Sequence, residues 1–120
     1  MRYPVVLTGP DGRRIRCLDG EHAAAVHLLT DWLVWDRVAG FVSDHGEVGW
    51  TGVDAHAWLH ASSERLLVQA AQDLYCGPRR TSPAGLKLLC HGLDAEHLVR
   101  VLEAVCLLRP DAAPPVGWSR

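Results

Sequence analysis

Asparagine is absent from these 120 residues, and lysine and isoleucine occur once each. Arginine outnumbers lysine eleven to one. With no asparagine and a single isoleucine, that ratio reads as coding from a GC-rich genome rather than as selection for phosphate contacts. Long apolar runs are missing too. None reaches the roughly 18 residues of a membrane span, and the opening MRYPVVLTGPDG lacks the apolar stretch of a signal peptide. A strong charge bias is also lacking: the formal net charge is −2, so attraction of the whole molecule to nucleic acid or anionic lipid is not expected.

Several motifs are missing as well. The four cysteines, Cys17, Cys76, Cys90 and Cys106, form no CxxC pair, which excludes the usual zinc-ribbon and dithiol signatures. They are also too sparse for a secreted disulfide scaffold, so they read as reduced thiols of a cytoplasmic protein. The glycines of HGEVGWTG complete neither GxGxxG nor GxxxxGK[ST], leaving no basis for dinucleotide or triphosphate binding. No GxSxG surrounds Ser62-Ser63-Glu64, where serine before a helix is explained as a cap. Cys90-His91 are adjacent in sequence, and adjacent side chains seldom place their reactive atoms within hydrogen-bond reach.

What is present is the composition of a globular domain, 48% hydrophobic and 22% charged, in a chain long enough for one self-sufficient core. Short apolar runs at 3–8 and 13–18 flank Gly9-Pro10-Asp11-Gly12, where proline and glycine supply the backbone angles of a hairpin turn. Ile15 and Cys17 alternate with Arg14 and Arg16, so one face of the second strand is buried. Asp19 caps a helix running from about 20 into the mid-thirties, with Ala25, Leu28, Leu29, Trp32 and Leu33 on its inner stripe. Residues 41–60 admit a short second hairpin or a structured loop. A second helix follows over about 55–76 and ends at Gly77-Pro78. Leu86-Lys87-Leu88 suits a short strand. A third helix, capped by Asp94, covers 94–108, with its polar residues Glu96, His97, Arg100 and Glu103 confined to a narrow strip. The expected architecture is α+β: an N-terminal hairpin packed against about three helices, one domain over 1–109, and a flexible tail at 110–120.

Three functional readings follow. A helix apolar over most of its girth is either central or part of a subunit contact. Together with five tryptophans in 120 residues, it predicts a non-enzymatic interaction protein acting as a homo-oligomer, most simply a dimer. The candidate interface is Trp32, Trp35, Leu98, Val101, Leu102 and Val105; the partner is a second copy, or alternatively another protein. A second reading is metal binding. His56 and His60 fall at i and i+4, the spacing of helical ligand pairs for zinc or another transition metal, with His45, Asp44, His91 or Cys90 as a third ligand. The missing glutamate of HExxH weakens this reading, and no cofactor is expected. The third reading takes Arg13, Arg14, Arg16, Arg79 and Arg80 as a nucleic-acid surface, against which the acidic charge balance argues.

The stretch from His60 to Leu108, HASSERLLVQAAQDLYCG and then GLKLLCHGLDAEHLVRVLEAVCLL, resembles small proteins of GC-rich actinobacteria. In those a Ser-capped helix precedes a Leu-rich segment and an Asp-capped helix. The resemblance implies no activity.

Overall fold

The computed structural model describes residues 3–56, 62–77 and 86–108. Strands β1 (Val5–Thr8) and β2 (Arg14–Cys17) pair antiparallel, with Val5 opposite Cys17 and Leu7 opposite Ile15. The turn forms as its residues dictate. Gly12 N–H donates to Gly9 O at 3.0 Å, Gly9 N–H donates to Arg13 O at 2.8 Å, and Gly12 adopts φ +85°. Alternation then buries Ile15 and Cys17 and leaves Val6, Thr8, Arg14 and Arg16 outside. Burial pushes the Cys17 thiol up to about 11, with the Asp19 carboxylate adding to the shift.

Six α-helices follow among the described residues, α1 (Gly20–Leu29), α2 (Trp35–Val38), α3 (Trp50–His56), α4 (Ser62–Cys76), α5 (Leu86–Gly92) and α6 (Ala95–Leu107), with one turn of 3-10 helix at Ala39–Phe41. The fold is α+β, as the sequence predicts. No helix among the described residues is long and apolar enough to cross a membrane.

The central helix is α1, not the last one. Residues 23–29 of α1 are all buried, with α4 on one side, α6 on another and the hairpin alongside. Its run of Ala23, Ala24 and Ala25 keeps the helix narrow enough for neighbours to approach on several sides. Asp19 caps it by accepting from the His22 N–H at 2.9 Å.

Three expectations need correction. Helix α1 stops at Leu29 rather than in the mid-thirties. The Thr30 hydroxyl donates back to His27 O at 3.1 Å, and the Asp31 carboxylate accepts from Leu33 N–H at 2.9 Å. Polar side chains thus take over backbone groups that a continuing helix would use, and the chain turns into α2. Residues 50–56, where a short hairpin or structured loop is expected, form helix α3, and the helix expected over about 55–76 is described as α4 from Ser62, with 57–61 outside the described residues. Leu86-Lys87-Leu88 opens α5 instead of forming a strand, because Leu89 and Leu93, at i and i+4, carry the burial there.

Between α2 and α3 a single antiparallel bridge joins Val42 and Val48 around a turn in which Gly46 takes φ +82°. The Arg16 N–H donates to Asp44 O at 2.8 Å, which fastens this loop to the free edge of β2. Gly77 ends α4 at φ +84°, its N–H donating to Asp73 O at 2.9 Å. The expected tail at 110–120 lies outside the described residues.

Helices α1 and α6 run antiparallel, and their far ends meet closely. A Cβ on Gly20 would stand 2.7 Å from Leu107 O and 2.8 Å from Leu108 O. The Tyr3 hydroxyl donates to the same Leu107 carbonyl. Helix propensity alone makes Gly20→Ala stabilising by about 1 kcal/mol. The contact with two backbone carbonyls reverses the sign, and chemical denaturation of Gly20→Ala is expected to show a loss of about 1–3 kcal/mol. A stabilised variant would contradict the close approach of α6.

Candidate functional site

The polar strip of α6 faces inward. Of the narrow strip Glu96, His97, Arg100 and Glu103, His97 and Glu103 are buried against the C-terminal half of α1, Arg100 is half-buried and Glu96 is exposed. His97 Nδ1 pairs with Asp31 Oδ2 at 2.7 Å, and His27 Nε2 pairs with Glu103 Oε1 at 3.0 Å. Arg100 spans the two pairs: Nε donates to His27 O at 2.8 Å and Nη2 donates to Thr30 Oγ1 at 2.9 Å. Asp31 Oδ2 also lies 3.8 Å from Arg100 Nε. The guanidinium thereby serves the carbonyl end of α1, where a cation is electrostatically favoured.

Beside this network a cleft of about 510 Å³ opens between the end of α1 and α6. His27, Asp31, Arg100 and Glu103 line its deep side, and Trp32, Ala95, Glu96 and Val99 its rim. Trp32 stands 63% exposed, its indole N–H donating to Glu96 Oε1 at 3.1 Å. Its ring lies 5.8 Å from that of His97, tilted by 51°. Both histidines are hydrogen-bonded to carboxylates across the contact, which ties the two helices together.

Turning the polar strip inward leaves apolar residues outside. At about 100° per residue, Val105, Leu98, Leu102, Ala95, Cys106 and Val99 occupy one continuous arc of α6. Among them Val99, Leu102 and Val105 are 36, 41 and 46% exposed, and Leu98 and Cys106 are half-buried. Within the candidate interface set, Trp32, Leu98, Leu102 and Val105 therefore reach the surface. Trp35 and Val101, 1% and 5% exposed, belong to the core instead. Trp35 fills the space under the hairpin turn, where a Cβ on Gly9 would touch its indole at 3.0 Å. Val101 sits on the inner arc of α6 with Ala104.

The remaining candidates are dispersed. Arg13 is committed internally: it donates to Asp44 Oδ1 at 3.1 and 3.0 Å and to Ala39 O at 2.8 Å, bonds the Val42 carbonyl, and lies over the Trp35 ring. Only Arg14 and Arg16 of the basic set stand together on the open hairpin face; Arg79 and Arg80 lie outside the described residues. His56 is the last residue of α3, and His60 lies outside the described residues. Asp44 is engaged by Arg13, and Asp54 accepts from Gln72 Nε2 at 3.3 Å. The described residues hold no group of three or more His, Cys, Asp or Glu side chains able to bind a metal ion. Cys90 and His91 are both exposed on α5.

Comparison with protein-family models, with curated proteins and with solved structures finds no match for this chain. What can be said of its function therefore rests on its own geometry.

The two glutamates of α6 provide a direct check. Leaving a buried hydrogen-bonding group without its partner costs about 1–3 kcal/mol, whereas an exposed change stays within about 0.5 kcal/mol. Glu103→Ala is expected to lose stability in the first range and Glu96→Ala in the second. Equal, small losses on urea titration would show that the strip faces water.

Proposed function

We propose that this chain is a non-enzymatic interaction protein that works as a homodimer, with the outer arc of α6 and the neighbouring Trp32 as the contact. The observation that carries this reading is the uncharged outer face of α6. Of the six large hydrophobic residues exposed among the described residues, Trp32, Val99, Leu102 and Val105 gather here. Contiguous apolar surface of this kind marks a site of association. Exposed tryptophan is also the side chain most often found to dominate a contact.

The spacing suits another helix. Ala95, Leu98, Leu102 and Val105 repeat at intervals of three, four and three, the a and d positions of a helix-pairing seam. A closed two-fold dimer covers such a patch with an identical one and leaves none over for further growth. We place the protein in the cytoplasm on its four free cysteines, two of which, Cys76 and Cys90, are exposed.

Light scattering on the purified chain tests the proposal. The wild type is expected at twice 13.2 kDa at micromolar concentration. Leu102→Glu/Val105→Glu buries two carboxylates in the contact and is expected to weaken it at least 100-fold, about 2.7 kcal/mol. Both positions are solvent-facing in the single chain, so the variant keeps its circular dichroism and thermal midpoint. A monomeric wild type, or a variant that dimerises as well as the wild type, would overturn the reading. An unfolded variant would mean that α6 is packed on both sides within one chain.

A further inference from the structure

We propose that the cleft between the end of α1 and the first turns of α6 binds a small organic cation, an amine carried on an apolar body. Its floor and rim belong to one chain, so the inference stands apart from the dimer reading.

The cleft has the size and the construction of a ligand site. Its volume of about 510 Å³ lies within the range of about 300–1,000 Å³ common for small-molecule sites. Two of its charged lining side chains, Asp31 and Glu103, are buried. They come from opposite ends of the sequence and meet only because α6 packs on α1. The cleft is therefore assembled by the tertiary contact, not by one run of surface residues.

Charge sets the sign of the ligand. Asp31, Glu96 and Glu103 bring carboxylates to the lining, and Arg100 brings a single guanidinium. The lining stays net negative whichever protonation state His27 takes. Nor does Arg100 offer itself to an anion. Its Nε donates to His27 O and its Nη2 donates to Thr30 Oγ1. An anionic ligand would reach a guanidinium already engaged and flanked by carboxylates.

Hydrogen-bonding capacity points the same way. The Trp32 indole N–H is spent on Glu96, as those two guanidinium groups are on α1. An ionised carboxylate accepts at about four sites, and Glu96 gives one of them to Trp32. The lining thus has acceptor capacity to share and commits its donors elsewhere, which an ammonium group matches.

The rim supplies the apolar half of the recognition. Trp32, Ala95 and Val99 stand beside the carboxylates, and Trp32 is 63% exposed. An indole is the aromatic ring that holds a cation best. Glu96 and the neighbouring His97 ring already fix its position, so binding need not order a large side chain.

Heteronuclear NMR of the isotope-labelled chain tests the site, following the Trp32 indole N–H and the Val99 and Glu103 amides. The probes are phenethylamine, its neutral counterpart phenethyl alcohol, and the anion phenylpropanoate. For so small an amine, half-saturation is expected at about 1 mM, with the alcohol and the anion at least about tenfold weaker. Glu96→Gln and Trp32→Leu alter exposed side chains and keep the fold, and each is expected to weaken the amine about fivefold. Equal binding of amine and alcohol, or tighter binding of the anion, would overturn the assigned class. An amine that shifts none of the three signals, or that binds both variants as well as the wild type, would overturn the site.

Discussion

The polar contact between α1 and α6 fixes the rotation of the last helix, and the surface of the molecule follows from that rotation. A buried His97–Asp31 pair, a buried His27–Glu103 pair and the Arg100 guanidinium between them leave α6 one way to face α1. A purely apolar seam could slide or turn by a residue at small cost. Buried hydrogen-bonded polar groups cannot, because each misplaced group then loses its partner without regaining water. Such pairs add little net stability over well-packed hydrophobic residues, so their effect here is on geometry more than on free energy.

The same contact explains why α1 is short. Thr30 and Asp31 leave the helical path to serve Arg100, His97 and Leu33, and the turn they make lifts Trp32 out of the core. One cluster of side chains therefore ends α1, orients α6 and exposes an indole beside the apolar arc. The contact proposed for the homodimer is what this cluster leaves uncovered: a helix face without charge, flanked by tryptophan.

Much of the fold was legible in the sequence. Pro10, Asp11 and Gly12 specify the hairpin turn, the Ile15/Cys17 alternation specifies its buried face, Asp19 specifies the start of α1, and Gly77 the end of α4. The two faces of α6 were legible as well, since apolar and polar residues separate at helical spacing. Which face meets the core was not. Periodicity reports that two faces differ, and the direction is assigned by assuming that polar residues seek water. His27 and Asp31 sit some seventy positions away, and nothing local to α6 shows that they will supply buried partners for Glu103 and His97. Arg13 illustrates the same limit. It reads as one of three basic residues on a strand, yet the fold commits it to the Ala39 and Val42 carbonyls and to Asp44.

A double-mutant cycle at Asp31 and His97 tests this constraint most directly. Asp31→Ala, His97→Ala and the double variant are each measured by urea denaturation. With the pair locking α6 in place, the two single losses sum to more than the loss in the double variant, by about 2 kcal/mol, within the range seen for directly contacting groups. Additive losses, with a coupling near zero, would mean that the two side chains do not act on one another and that α6 is oriented by something else.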